Sequence, residues 1–333
     1  MTENQRNETM LLDPVKPLLS LLSPSGRKGR LSVFLFHRVL ASPDPLMADI
    51  PDVASFDAIL GWIKGWFNVL PLDEAVIRLQ ASTLPARAAA ITFDDGYADN
   101  GQFALPLLQK HGLSATLFVA TGFLNGGIMW NDALIETLRQ APGPALDLED
   151  LGLGRYRLET IADRRNAIDQ LLPRLKYLEP AKRLETVERC VEKAGASLPR
   201  TLMMSSEDLR QWRRAGMVVG GHTVHHPILA RITDAQARRE ICDGKAQLEK
   251  ILGEDVCLFA YPNGHPGEDY LPQHVHMVRE AGFSGAVSTV WGAGDSRQDI
   301  YQLPRFTPWD RSRTKFGLRL VRNLLRSIRT CRR

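Results

Sequence analysis

The sequence predicts an α/β fold in which short parallel strands form a sheet or a barrel. Three observations carry this reading. Apolar runs of strand length alternate with helix-spaced segments of about ten residues along most of the chain. Two groups of chemistry-bearing residues, Asp94-Asp95-Gly96 and His222 to His226, stand directly after such runs. A chain of 333 residues with 44% hydrophobic and 24% charged content can bury the large core that such a fold needs.

Taken in order, Val33-Phe34-Leu35-Phe36 is a buried strand followed at once by His37-Arg38. Phe56, Ile59, Leu60, Ile63, Trp66 and Phe67 recur at helical spacing, and Val69-Leu70-Pro71-Leu72 makes a short strand. The run Ala88 to Phe93 ends in Asp94-Asp95-Gly96-Tyr97. Strand side chains alternate between faces, but a turn at Gly96 releases the chain from that alternation. Two adjacent aspartates can then take separate jobs, one holding a metal and one moving a proton. Taken alone, Asp-Asp-Gly is also an ordinary turn. A helix over 102–111 stops at Gly112, and Ala115 to Ala120 forms the next strand.

The alternation breaks between about 127 and 204. This stretch is mostly charged and helical around a Gly/Pro-rich APGPALDLEDLGLG, and it reads as a helical insertion, either a lid or decoration. The pattern then resumes. Ser205 and Asp208 cap a helix over 206–215, and Met217-Val218-Val219 forms a strand. A helix at about 234–252, a strand from Cys257 to Tyr261, a helix over 269–281 and a strand over 283–290 follow.

Composition excludes several classes. Cys190, Cys242, Cys257 and Cys331 are scattered without a C-x-x-C pair, which argues against a disulfide framework and a thiolate zinc site. The N-terminal 1–30 carries acidic residues and a Pro-broken apolar stretch unlike a signal peptide, and no run of about 18 apolar residues exists. The expected address is the cytoplasm. Net charge is +4, yet nine basic and no acidic residues follow Asp310, which leaves the body at −5. The globular part is therefore not expected to bind nucleic acid.

The second half of a site lies in Gly220-Gly221-His222-Thr223-Val224-His225-His226-Pro227. His222 and His226 are four apart, so on a helical turn they share a face and grip one ion together. With one carboxylate they give three protein ligands and an open position, the composition of a catalytic zinc site. The competing reading is a chance histidine cluster at a turn.

TFDDGY followed by G-H-T-V-x-H-P resembles the polysaccharide deacetylase family, the fourth family of carbohydrate esterases. The similarity runs over about 31–310, with 127–204 as an insertion. The resemblance implies a distorted (β/α) barrel of seven or eight strands. It implies Asp94 as general base, with Asp95, His222 and His226 as ligands of a divalent metal, most suitably zinc. It implies the Tyr97 backbone N–H as oxyanion donor, and it leaves His225 outside the metal set.

The sequence departs from the family at two points. Phe259-Ala260-Tyr261-Pro262-Asn263-Gly264 has Ala260 where an R-x-x-P-Y arginine would stand, and the late L-x-H segment is replaced by Tyr301-Gln302-Leu303-Pro304-Arg305. Either the protein is a weakened relative or the roles have moved, to His37 as acid and Arg305 as partner of the base. The F-A-Y-P-N-G and F-H-R-V forms resemble the subgroup acting on poly-N-acetylglucosamine-type exopolysaccharides. Trp130-Asn131-Asp132 and Trp291 are candidates for lining a sugar site, with Tyr261 and Asn263 beside it.

The activity expected from this resemblance is metal-dependent removal of acetyl from an N-acetylated amino sugar. The substrate would be a glycan, or a lipid- or nucleotide-linked precursor. Its rivals are a catalytically inactive carbohydrate-binding relative and a non-haem iron oxygenase. The basic tail 311–333 reads as an amphipathic helix. Phe316, Leu320, Val321, Leu324, Leu325 and Ile328 fall on one side of it, and Arg319, Arg322, Arg326, Arg329 and Arg333 on the other. It would dock on the barrel or, through 313–333, on an anionic membrane surface.

Overall fold

The structure, a computed structural model, describes residues 14–326, 328, 330 and 331. Its centre is a seven-stranded parallel sheet. The strands are β1 (Leu31–Phe36), β2 (Asn68–Val69), β3 (Ala88–Phe93), β4 (Thr116–Val119), β7 (Val218–Gly221), β8 (Leu258–Ala260) and β9 (Gly285–Val287). The order is β1-β3-β4-β7-β8-β9, with β2 paired to the start of β3. The segment 303–306 joins the two ends of this order. Ser288 N–H donates to the Leu303 carbonyl at 2.8 Å, and Phe306 N–H donates to the Val33 carbonyl at 2.7 Å. The curled sheet thus meets itself as a distorted barrel.

Alternation along β3 sorts the core. Ala89, Ile91 and Phe93 face outward with Phe34, Phe36, Phe259 and Tyr261, under a shell of helices. These are α1 (Val15–Leu22), α2 (Val53–Trp66), α4 (Leu105–His111), α8 (Ser206–Arg214), α9 (Asp234–Leu252), α10 (Pro272–Glu280) and α11 (Arg313–Leu324). Ala88 and Ala90 face inward with Val33, Phe118, Leu258 and Val287. There α3 (Leu72–Gln80) buries Leu72, Ala75, Val76 and Leu79 in the same cluster. The cap predicted at Ser205 is present: its Oγ accepts from Asp208 N–H, while Asp208 accepts from Ser205 N–H at 2.8 Å.

Between β4 and β7 lie α5 (Trp130–Gln140), the antiparallel pair β5 (Ala145–Leu148) and β6 (Gly154–Arg157), α6 (Ile161–Lys176) and α7 (Pro180–Ala194). The sequence reading of this stretch as helical missed that hairpin. Its signal is short: Leu146 and Leu148 alternate inward and Gly152 takes the left-handed turn. Leu134, Leu138, Leu146, Leu148, Ile168, Leu171, Leu175 and Val187 form a core of their own.

The tail helix α11 buries Phe316, Leu320 and Leu324. The Phe316 ring lies among those of Phe34, Trp62, Trp66 and Phe306. Arg319, which the wheel put on the polar side, pairs with Asp310 and stacks on Trp291, Phe306 and Trp309. Arg329, Arg332 and Arg333 lie outside the described residues. Among the described residues, no helix is long and apolar enough to cross a membrane.

Candidate active site

The site is built where β1, β3 and β7 end. Asp94 continues the inward register of Ala88, Ala90 and Thr92, so its carboxylate points into the barrel mouth. Arg305, on the closing segment and 1% exposed, meets it with both terminal nitrogens, at 2.6 and 2.7 Å. The guanidinium is itself fixed by Nε donating to the Ser288 carbonyl at 2.8 Å. Burial pushes the Asp94 carboxyl up, but the charges of Arg305 and His222 outweigh it and hold it below its ordinary value.

Asp95 leaves the alternation at once, with φ of +77°, followed by Gly96 at +92°. A Cβ on Gly96 would stand 3.1 Å from the Val119 side chain, so this turn combines left-handed backbone with close approach. Among the described residues, Asp95, Thr223, His226 and Asn263 are four of the seven non-glycine residues with positive φ. Strained backbone of this kind, at about 1–3 kcal/mol each, gathers where function demands geometry.

His222 and His226 do not share a helical turn; they sit in an irregular loop after β7. The loop folds back because Thr223 and His226 take left-handed conformations and Thr223 Oγ1 accepts from His226 N–H at 3.0 Å. Their rings still lie 4.7 Å apart. Spacing alone therefore gave the right neighbours by the wrong geometry. Glu240 on α9 accepts from Val224 and His225 N–H and from His225 Nδ1, turning His225 out to solvent. Gly244 lets α9 lie against this loop, since a Cβ there would be 2.9 Å from Thr223 backbone.

His222 Nδ1 lies 2.7 Å from the Ala260 carbonyl, which fixes Nδ1 as the protonated nitrogen and frees Nε2. Nε2 of His222 and Nε2 of His226 each lie 3.5 Å from Asp95 Oδ1. That oxygen is buried and has no hydrogen-bond partner among the described residues. One donor atom from each of the three residues falls within 4.8 Å of the others. Burial pushes the His226 imidazole down to about 4, so it stays neutral with its lone pair available. An orphaned carboxylate oxygen facing two imidazole lone pairs fits a divalent cation.

Tyr97 is buried, and its N–H donates to no other described residue. On either side of it, Ala98 N–H donates to the Leu202 carbonyl and Met204 N–H to the Gly96 carbonyl. Its hydroxyl donates to Asp132 at 2.9 Å and its ring carries the Arg38 guanidinium at 4.7 Å. Arg38 is anchored by Asp99 at 2.7 Å. Sequence reasoning gave Arg38 and Asp99 no role and set Asp132 beside Trp130 as a sugar-site candidate; only the fold brings the three under Tyr97.

His37 is exposed and, with His226 and Asn263, lines both of the cavities that meet here. The larger, about 610 Å³, runs toward the insertion past Trp130. The other, about 580 Å³, reaches Trp291 and Arg326, so the basic tail delivers a residue to the site mouth. Tyr261 is a correction. It is wholly buried, stacks on Tyr270 at 3.9 Å and borders neither cavity, because β8 alternation sends it outward with Phe259.

Fold and site together define an α/β barrel whose mouth holds an arginine-clamped aspartate beside a donor set of one carboxylate and two imidazoles that could hold a metal ion. The chain belongs to the polysaccharide deacetylase family, whose profile matches residues 81–143 and 177–285, just over half of the sequence. Members of this family are hydrolases of amide bonds and generally depend on a divalent metal. YxkH of Bacillus subtilis (strain 168) is 20% identical over 281 residues, covering 84% of this chain and 71% of its own. The Streptococcus pyogenes deacetylase PplD, solved with acetate, superposes with a TM-score of 0.57 at 19% identity, over 89% of this chain and 98% of its own. IcaB from Ammonifex degensii gives 0.56 at 18%, over 89% and 97%. These superpositions speak for the fold.

Proposed function

We propose that this protein hydrolyses the N-acetyl group of an amino sugar in a glycan or glycan precursor, with zinc or a similar cation held by Asp95, His222 and His226. The observation that carries the reading is the clamped Asp94 set directly beside the unpartnered Asp95 oxygen and its two imidazoles. A divalent cation there would polarise the amide carbonyl and acidify water. Asp94, kept ionised by Arg305, accepts the proton of the attacking water. The free Tyr97 N–H faces the oxyanion, a contribution of roughly 3 kcal/mol. His37, exposed at the junction of the cavities, protonates the departing amine as the C–N bond breaks. Acetate and a free amino group result.

The placement of His37 and Arg305 supports the likeness to the poly-N-acetylglucosamine-type subgroup for the reacting groups. The acetate in the PplD structure agrees with the product class. An inactive binding relative would have no use for the Arg305 clamp, and an oxygenase would leave Asp94 idle. The test is acetate release from a panel of N-acetylated glycans and linked sugars by wild type and Asp94→Asn, with metal analysis of both and of His226→Ala. Release by wild type, its loss in Asp94→Asn with metal retained, and metal loss in His226→Ala are expected. Equal release by Asp94→Asn would overturn the assignment.

A further inference from the structure

The larger cavity has a wall that the reaction does not use. α6 carries two stripes. Ala167, Ile168, Leu171 and Leu175 face the small core of the insertion. Arg165, Asp169, Leu172 and Lys176, spaced i, i+4, i+7 and i+11, line the cavity that also holds Asp95 and His226. Arg183, in the first turn of α7, borders the same space and is 8% exposed. Its Nη1 donates to the Lys176 carbonyl at 2.9 Å, and its guanidinium lies 4.9 Å from the Trp130 ring centroid.

Among the described residues, none of Arg165, Lys176 and Arg183 has a carboxylate within ion-pair distance. The other charges facing the cavity are accounted for. Arg38 is paired with Asp99, Asp132 with the Tyr97 hydroxyl, and Asp95 belongs to the donor set. Asp49 and Asp169 are exposed to solvent. A buried guanidinium costs free energy unless a negative group meets it. α6 also lies inside 144–176, the stretch between the two blocks that match the family profile. Arg165 and Lys176 therefore lie outside the matched blocks, while Arg183 falls in the second of them.

We infer that Lys176 and Arg183 form a subsite for an anionic group that the substrate carries next to its acetylated sugar, with Arg165 farther along the same wall. The group is a phosphate or a uronic carboxylate; both offer the coplanar or clustered oxygens that a guanidinium binds in pairs. A neutral N-acetylhexosamine polymer would leave these cations without an anionic partner. The insertion then selects an acidic substrate, an assignment that rests on the deacetylase reading for the identity of the sugar.

The experiment is calorimetric titration of the full chain with three ligands. They are N-acetylglucosamine 1-phosphate, an N-acetylglucosaminyl-glucuronic acid disaccharide and neutral N,N′-diacetylchitobiose. Arg183 is buried and its replacement risks the fold, so half-buried Lys176 is varied to Ala and to Glu. At least one anionic ligand should bind about tenfold or more tighter than the neutral one, as a hydrogen-bonded charge pair warrants. Lys176→Ala should remove most of that preference and Lys176→Glu all of it, with the neutral ligand unaffected. Tighter binding of the phosphate ligand identifies a phosphorylated substrate, and tighter binding of the disaccharide an acidic glycan. Equal affinity for all three, or variants that weaken the neutral ligand as much, would overturn the subsite. Acetate release measured alongside separates the two claims. Preferential anion binding without acetate from any ligand refutes the reaction and keeps the subsite, whereas acetate at equal kcat/KM from all three, with no binding preference, does the reverse.

Discussion

Arg305→Met is the substitution whose cost the structure fixes best. The side chain removed makes two charged hydrogen bonds to Asp94, at 2.6 and 2.7 Å, at a site where both partners are buried. Each such bond is worth about 1.5–3 kcal/mol, and stranding one member of a buried ion pair costs about 3–5 kcal/mol. Met fills much of the volume, so the loss is electrostatic rather than a cavity. We expect roughly 3–5 kcal/mol less stability in urea unfolding at pH 7 with chelator present. In Arg305→Met/Asp94→Asn the stranded charge is gone, and the double variant should recover about 2 kcal/mol or more relative to the summed singles. Because the folded-state carboxyl of Asp94 is held below its unfolded value, this stability is present above about pH 4 and is lost as pH falls through the folded value. The gap between wild type and Arg305→Met should therefore narrow in acid. A loss under about 1 kcal/mol, or additive singles, would show that the clamp is not what holds Asp94 ionised.

Two more outcomes follow from single groups. Burial pushes Asp132 up to about 7, so the folded state binds its proton more tightly and stability declines as pH rises from about 4 to about 7. Asp132→Asn, which still accepts from Tyr97, should match wild type near pH 4 and exceed it at pH 8 by up to ~4 kcal/mol in urea unfolding; a difference that does not change with pH would refute the shift. His37→Ala should lower kcat by about 10²–10⁴-fold with metal content unchanged, as for a general acid, and a wild-type kcat would return His37 to a bystander role.

How much of this was legible in the sequence depended on distance along the chain. Strands and the Ser205 cap were legible because period, length and capping are local signals. The run ending at Asp94-Asp95 could be read for the same reason, although the break in alternation begins at Asp95 rather than at Gly96. The two histidines were found by spacing, yet what brings them together is left-handed backbone at Thr223 and His226, which no periodicity announces. Tyr261 was misplaced because Asn263, two residues on, belongs to the mouth, while Tyr261 itself follows β8 in the outward register of Phe259. The pairing of Asp99 with Arg38, 61 residues away, and of Asp132 with Tyr97, 35 away, has no sequence signal, although Asp132 stands out beside Trp130.

The two stripes of α6 illustrate a signal that was present but unread. Ile168, Leu171 and Leu175 account for one face, and an apolar face is enough to explain why a helix packs. Arg165, Asp169, Leu172 and Lys176 are spaced as regularly, but a charged stripe on a helix ordinarily faces water and so carries no prior for function. Only when the fold sets that stripe across a cavity from Asp95 and His226 does its composition gain meaning. The tail behaves alike: its basic residues read as one face of a helix, yet the fold sends Arg319 among aromatic rings and Arg326 to the rim of the second cavity. In this protein local sequence supplies the groups proposed to react, while the surface proposed to choose among substrates comes from segments whose charge pattern is indistinguishable, in one dimension, from solvated decoration.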